Sequence, residues 1–229
     1  TVNDPACQVT VSITTVTDVS CNGGNSGTAT ITMIGGSGTS FTYNWPNGQT
    51  TAFVTGLSQG SFVGSVTDNN GCFSTATANI SEPTVLAAIA TLNSNALCNG
   101  NSNGVITASA IGGTTPYNYL WSTSATSASL SGLPIGIYTV TVSDGASSPG
   151  CTDIANVTVS EPNPMAITLT CNPTSIAGGT DGSSSTAVSG GDGNYTYSWT
   201  GGETTSSITG LTAGIQNVTV SDGNLCSIT

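Results

Sequence analysis

The sequence predicts an all-β chain, built as antiparallel β-sandwich modules in tandem. Three observations carry that expectation. First, one series of motifs is written three times at a period of about 75 residues. The first copy reads Cys21-Asn22-Gly23, Ile34-Gly35-Gly36, Tyr43-Asn44-Trp45, Gly56-Leu57, Ser65-Val66-Thr67-Asp68 and Gly71-Cys72. The second reads Cys98-Asn99-Gly100, Ile111-Gly112-Gly113, Tyr119-Leu120-Trp121, Gly132-Leu133, Thr141-Val142-Ser143-Asp144 and Gly150-Cys151. The third reads Cys171-Asn172-Pro173, Ser189-Gly190-Gly191, Tyr197-Ser198-Trp199, Gly210-Leu211, Thr219-Val220-Ser221-Asp222 and Leu225-Cys226. This period is too long for a solenoid repeat and suits a small domain that closes its own core. Second, Thr, Val, Ile and Ser alternate with a period of two, with no helical spacing of apolar residues. Third, Gly, Pro, Asn and Asp punctuate the alternation every eight to twelve residues, as in sandwiches of immunoglobulin type.

In the middle copy the strands fall at Ala87–Leu92, Val105–Ile111, Tyr117–Trp121, Ser127–Leu130, Ile137–Val142 and Ile154–Val159. The third of these fixes a face. Tyr117, Tyr119 and Trp121 lie two apart and project the same way, as do Phe41, Tyr43 and Trp45, and Tyr195, Tyr197 and Trp199. Such a row could stack on a glycan. A module this small needs the rings in its core, so Tyr43, Trp45, Tyr119, Trp121, Tyr197 and Trp199 are read as core aromatics. Facing them are Phe62, Gly64 and Val66, then Tyr138, Val140 and Val142, but Gln216, Val218 and Val220 in the third copy, which predicts a thinner core there. The Gly-Gly pairs are read as turn glycines, and none opens a helix in the manner of a phosphate cradle.

The expected boundaries are a terminal strand of a preceding repeat at 1–13, repeats at 14–83 and 84–162, and a third repeat at 163–229 without its final strand. Ser81-Glu82-Pro83 and Ser160-Glu161-Pro162 mark semi-rigid joints. The motif phase at the two ends is that of an excerpt from a longer array.

Six cysteines recur about fifty residues apart within the copies, with no His and no close Cys pair, which favours disulfides over zinc. If the chain reverses at every turn, the first and last turns of a repeat share a pole. The expected bridges are then Cys21–Cys72, Cys98–Cys151 and Cys171–Cys226, one per module, with Cys7 paired to a cysteine outside the chain. Disulfides place the protein in an oxidising compartment, at the cell surface or in the medium.

The composition excludes whole classes of function. There is no Lys, Arg or His, and the net charge is −11. A Ser-His-Asp relay, an imidazole metal ligand and a lysine Schiff base are all impossible. No cation is present to clamp phosphate, so neither nucleic acid nor anionic lipid is an expected partner. Trypsin has no cleavage site. No apolar run approaches membrane-spanning length, so no direct membrane insertion is expected. No pair of acidic residues recurs across the copies, so no catalytic residue is assigned and the chain is not expected to be an enzyme. No cofactor is expected either. Asp68, Asp144 and Asp222 end strands at matching places, and Glu82 and Glu161 mark the linkers. Calcium is one reading of Asp68, Glu82, Asp144 and Glu161, but one or two carboxylates per site fall short of a calcium loop, and ordinary Asp turns account for them.

The motif order resembles the SprB-type repeat, most closely in the second copy, from Cys98-Asn99-Gly100 through Gly112-Gly113-Thr114-Thr115-Pro116-Tyr117-Asn118-Tyr119-Leu120-Trp121 to Gly132-Leu133-Pro134-Ile135-Gly136-Ile137-Tyr138-Thr139-Val140. Pro173, Leu225 and Gln216 depart from it. The resemblance implies a giant surface protein of Bacteroidota, of the gliding-motility adhesin or related filament kind, exported by type IX secretion. It implies an extracellular, cell-surface location. It supplies no catalytic residue. The expected function is therefore a stalk segment of a large adhesin or surface filament, attaching to surfaces, glycans or other cells, with other copies of itself as filament partners. The alternative is a self-assembling filament subunit. In that reading Val9–Ile13 is a spare strand donated to a neighbouring chain's third repeat, or the chains associate laterally.

Overall fold

A computed structural model describes residues 8–36, 39–146 and 150–229. Among these the regular structure is β throughout: eighteen strands in six three-stranded sheets. In the first repeat, β1 (Thr10–Thr17), β2 (Gly27–Gly35) and β4 (Phe53–Leu57) form one sheet, in the order β1-β2-β4. The strands β3 (Phe41–Asn44), β5 (Gly60–Asp68) and β6 (Phe73–Ile80) form the other, in the order β3-β5-β6. The middle repeat follows the same plan with β7 (Ala87–Ser94), β8 (Gly104–Ile111), β9 (Asn118–Trp121), β10 (Ser129–Leu133), β11 (Gly136–Ser143) and β12 (Thr152–Val159). The third follows it with β13 (Ala166–Asn172), β14 (Gly182–Ser189), β15 (Thr196–Trp199), β16 (Ser207–Leu211), β17 (Val218–Ser221) and β18 (Ser227–Ile228). Written with immunoglobulin letters, each repeat is an A-B-E sheet and a C-F-G sheet, the immunoglobulin-like plan without a D strand. The strands expected in the middle repeat lie within three residues of these bounds.

The alternation does what period two requires. In β5 the inward residues Gly64, Val66 and Asp68 are buried while Ser61 and Val63 face out. Trp45, Trp121 and Trp199 are all but fully buried, and each indole N–H donates to a backbone carbonyl six residues on, at Thr51, Ser127 and Thr205. In the first repeat Trp45 packs with Ile31, Val54, Leu57 and Val66, with Tyr43 half-buried beside them. Gly64 leaves room for that indole, whose ring lies 2.9 Å from where a Cβ would be. In the third repeat Trp199 joins Ile208, Val218 and Val220, a smaller cluster, flanked by half-buried Tyr197. Tyr119 is half-buried as well.

Strand directions follow from the pairing. Strand β2 runs antiparallel to both β1 and β4, and β5 antiparallel to both β3 and β6. Only Ser58 and Gln59 separate β4 from β5, so β5 reverses β4 and runs with β2. The F–G turn after β5 therefore lies at the pole of the B–C turn after β2. There Asn69 N–H donates to the Ser40 carbonyl and Asn69 Oδ1 accepts from Thr39 N–H. The A–B turn lies at the opposite pole, beside the end of β6, where Val19 N–H donates to the Ser81 carbonyl. A strand of eight residues separates the poles by about 26 Å at ~3.3 Å per residue.

Two expectations are corrected here. Cys21 and Cys72 do not bond, because they sit at opposite poles, and a disulfide needs Cα atoms within about 7 Å. The assumption of a reversal at every turn fails after Trp45. Strand β3 covers only the half of β5 from Asp68 to Ser65, and β4 pairs with β2 at Thr30, Ala29 and Gly27. The chain steps from one sheet to the other at mid-height and keeps its direction. The Val9–Ile13 segment is not spare either. Strand β1 begins at Thr10, crosses the expected 13/14 boundary, and pairs with β2 as the A strand of the first repeat.

By contact density the chain forms two compact units, and these do not coincide with the repeats. One holds the first repeat with Ser109–Leu120 and Val140–Ala155 of the middle one. The other holds Ala90–Ala108, Trp121–Thr139 and Asn156–Thr229. Each unit contains one joint whole.

Candidate functional site: the stapled joints

Each joint is built from three turns. In the first unit the A–B turn of the first repeat supplies Cys21, and the F–G turn of the next supplies Cys151. Their Cα atoms are 5.6 Å apart and the sulfurs are bonded. In the second unit Cys98 and Cys226 repeat the arrangement, again with 5.6 Å between Cα atoms. The expected pairs Cys98–Cys151 and Cys171–Cys226 are thereby corrected, along with one disulfide per module. The bridges join successive repeats, because the A–B pole of one repeat meets the F–G pole of the next. Cys72 is also disulfide-bonded, and not to Cys21. The expected outside partner of Cys7 falls on a position outside the described residues.

Cys171 carries a free, exposed thiol. The reason is a shift of register. Cys21 precedes Gly27 by six residues and Cys98 precedes Gly104 by six, but Cys171 precedes Gly182 by eleven. The turn bond that runs from Gly24 N–H to the Cys21 carbonyl, and from Asn101 N–H to the Cys98 carbonyl, runs from Gly179 N–H to the Ile176 carbonyl. Ile176 thus occupies the staple position, and Cys171 lies earlier, inside β13 opposite Ser184.

A polar latch sits beside each staple. Glu82 accepts from Asn22 Nδ2 at 3.0 Å and from Gly23 N–H at 2.7 Å. Glu161 accepts from Asn99 Nδ2 and Gly100 N–H, both at 2.8 Å. Asn22 and Asn99 also donate to the carbonyls of Pro83 and Pro162. The Asn-Gly of the A–B turn therefore grips the start of the linker. Gly23 and Gly100, with φ of 72° and 76°, adopt the left-handed turn that aims these N–H groups at the carboxylate.

The next repeat holds the other end of the linker. Gly113 N–H donates to the Thr84 carbonyl at 2.8 Å, and Gly191 N–H to the Asn163 carbonyl at 2.9 Å. A Cβ on Gly112 would lie 1.9 Å from the Val85 carbonyl oxygen, and one on Gly190 2.0 Å from that of Pro164. These glycines are more than turn residues: they let the linker backbone lie on the B–C turn. Tyr117 and Tyr195 brace that turn through hydroxyl donation to the Gly112 and Gly190 carbonyls. Sequence reading missed this role, though the recurrence of Gly-Gly at one place in every copy is its signal.

Asp144 and Asp222 are buried behind the staples. Asp144 Oδ1 accepts from the N–H groups of Ala146 and Cys151, and its Oδ2 accepts from Thr114 N–H. Asp222 does the same with Asn224, Cys226 and Asp192. Asp68 likewise accepts from Asn70 and Cys72. Each carboxylate ties the F–G turn to its cysteine, and in the later two repeats to the B–C turn as well. The acids read as calcium candidates are thus engaged as turn caps and latches. Among the described residues no three of His, Cys, Asp and Glu gather in a metal-binding cluster.

Three other aspartates set a pH dependence. Ala88 N–H, then Ile154 N–H, hold the Asp153 carboxyl below its ordinary value of 3.8. The Ser175 hydroxyl, then its N–H, lower Asp181. Asn194 N–H and Gly223 N–H lower Asp192. As the pH falls the unfolded chain takes up these protons first. The stability they contribute is complete above about pH 5 and is lost as the pH drops through the lowered native values. We expect melting temperature to hold between pH 7 and 5 and to fall below about pH 4. The Asp153→Asn, Asp181→Asn, Asp192→Asn chain should have a shallower acid limb by calorimetry, and an unchanged limb would refute the assignment.

With this geometry in view, the family model for the SprB repeat matches residues 13–50 and 93–126. Those two stretches are similar to the SprB repeat. Each matched stretch runs from the A strand, through the A–B turn that carries Cys21 or Cys98, to just past the buried Trp45 or Trp121. The SprB match therefore takes in the staple cysteine and the core indole together. No curated protein matches the chain in sequence. Among solved structures, it is similar to the N-terminal eight Ig domains of Down syndrome cell adhesion molecule isoform 1.30.30. Identity is 11% and the TM-score 0.40, over 95% of this chain and 35% of that one, so the chain spans about a third of that structure. It is also similar to the N-terminal four Ig domains of Dscam1 isoform 6.9, at 11% identity and a TM-score of 0.26, over 95% and 70% of the two chains. The immunoglobulin-like assignment rests on the strand order of each repeat.

Proposed function

We propose that this chain is a stalk segment of a large extracellular adhesin or surface filament, in which the SprB-type repeats space and stiffen and do not catalyse. The observation that carries the reading is where the covalent bonds fall. A bridge inside a module stabilises that module; the bridges from Cys21 to Cys151 and from Cys98 to Cys226 instead fasten one repeat to the next. A stalk that transmits load needs its joints held, and here each is held by a disulfide, a carboxylate latch and a seated linker. A surface of Thr, Ser, Asn and Gly with a modest negative charge and no tryptic site suits long exposure outside a cell. Disulfides suit the same oxidising setting. Export by type IX secretion, a Bacteroidota source and a part in gliding or attachment follow as the family's implications. Contacts with glycans, surfaces or other cells belong to the whole protein, where many weak sites gain by avidity.

The test is electron microscopy of the intact cell surface, labelled with an antibody raised against this chain. Label along surface filaments is expected. Filaments thicker than one row of beads would establish association between chains, and thin threads a single stalk. Label confined to the cell interior would overturn the proposal.

A further inference from the structure

Both joints carry a chemical liability that their latches hold in check. Asn22-Gly23 and Asn99-Gly100 are exposed Asn-Gly pairs in the A–B turns. In such a pair the glycine nitrogen can attack the asparagine Cγ, because the glycine has no side chain to block the approach. Nothing nearby blocks it either: a Cβ on Gly23 or Gly100 would meet no atom within 4 Å. What holds each pair is the linker. Gly23 N–H donates to Glu82 Oε2 at 2.7 Å, while Asn22 Nδ2 donates to Glu82 Oε1 and to the Pro83 carbonyl, both at 3.0 Å. Gly100 N–H donates to Glu161 Oε2 at 2.8 Å, and Asn99 Nδ2 to Glu161 Oε1 at 2.8 Å and to the Pro162 carbonyl at 3.2 Å. Bonds to an ionised carboxylate are the strong kind. The attacking nitrogen keeps its proton, and the amide is turned toward the linker with both of its hydrogens engaged.

We propose that Asn22 and Asn99 are sites of spontaneous deamidation, guarded while the joint is latched and reactive when it opens. In the open joint the Gly23 nitrogen gives its proton to water and bonds to Asn22 Cγ. The Cγ–Nδ2 bond breaks, and the departing nitrogen takes up a proton and leaves as ammonia. Water then opens the succinimide ring at either carbonyl. The sum is asparagine plus water going to aspartate or isoaspartate plus ammonia, with no change of oxidation state. The product sets a carboxylate opposite Glu82 where an amide donor stood. Two carboxylates repel, and the chain has no Lys, Arg or His to bridge them. The latch does not re-form, so an opening that leads to reaction loosens that joint permanently. The inference goes beyond the stalk reading and does not depend on it, since it concerns only the latch geometry.

The test follows both sites in the full oxidised chain during incubation in mildly alkaline buffer. Peptide mass spectrometry after reduction reads the exchange of an amide NH2 for OH at each asparagine. In the parent both sites should react several-fold more slowly than in the same chain denatured. Glu82→Ala should speed reaction at Asn22 several-fold and leave Asn99 unchanged, and Glu161→Ala should do the reverse, so each latch controls for the folding of the other. Glu82→Gln, which keeps the packing and one acceptor oxygen, should fall between the parent and Glu82→Ala at Asn22. Equal acceleration at both sites by either alanine variant would mean general unfolding and overturn the local guard. No acceleration, or a slower reaction, would show the carboxylate to be idle or to assist the attack as a base, and would overturn the proposal as well. An Asn22→Asp chain reads the consequence separately. Deuterium exchange at Gly23 N–H should quicken several-fold over the parent, and unchanged exchange would overturn the permanent loosening.

Discussion

A chain carrying Cys21→Ser and Cys151→Ser is expected to melt about 10–15 °C below the parent and to lose the hold between its first two repeats. The bond closes a loop of 130 residues, and Cys98–Cys226 closes one of 128. In the chain-entropy account a loop of that size is worth about 5 kcal/mol. The two loops share residues 98–151, so removing one bond costs somewhat less, about 3–5 kcal/mol, and each kcal/mol lowers the midpoint of a chain this long by roughly 2–4 °C. The cores of the repeats are untouched by the change, so circular dichroism should retain its β signature below the transition. Peptide mapping gives the decisive readout. With no Lys or Arg, the chain has to be cut at Asp or at aromatic residues. The linked fragments should contain Cys21 with Cys151 and Cys98 with Cys226. A fragment linking Cys21 to Cys72 would overturn the joint. Pulling the chain by its ends gives a second measure. The fully extended length is roughly 800 Å at ~3.3–3.6 Å per residue, and the oxidised chain should release less than half of it before reduction.

Trp121→Ala is the substitution expected to cost most inside a module, about 3–5 kcal/mol. The indole is 2% exposed, and its N–H donates to the Ser127 carbonyl at 2.9 Å. Removing it leaves a cavity between the sheets and an unpaired carbonyl in the crossing loop. The middle repeat supplies Cys151 to one staple and Cys98 to the other, so its collapse loosens both joints. Denaturant unfolding should show a lower midpoint, and Trp121→Phe should recover part of the loss, since it restores most of the volume but not the hydrogen bond. A change within about 1 kcal/mol, together with lost glycan binding, would instead make the aromatic row a binding platform.

Much of this architecture was legible because it is local. The alternation in Val105–Ile111 or Ile137–Val142 reports which side chains point inward whatever the rest of the chain does. The burial of Trp45, Trp121 and Trp199 follows from their place in strands that a small core cannot spare. The turn glycines were also visible, but not what lies against them. Gly112 and Gly190 read as ordinary turn residues until the linker carbonyls of Val85 and Pro164 are found where a Cβ would be. Glu82 and Glu161 read as linker markers, with calcium the weaker reading, until the Asn-Gly turns are found facing them.

By itself, then, the sequence determined the three repeats, their strands, their core indoles and the use of cysteines in disulfides. Tertiary structure alone decided which cysteines meet. Partner choice depends on strand direction, and that depends on a crossing at mid-height after Trp45 that has the turn residues of a reversal without being one. It depends also on register: five extra residues before Gly182 move Cys171 off the turn and put Ile176 in its place. Spacing along a chain measures distance only while the path between two points is known. Across a sandwich about 26 Å tall, one unrecognised crossing moves a cysteine from one pole to the other.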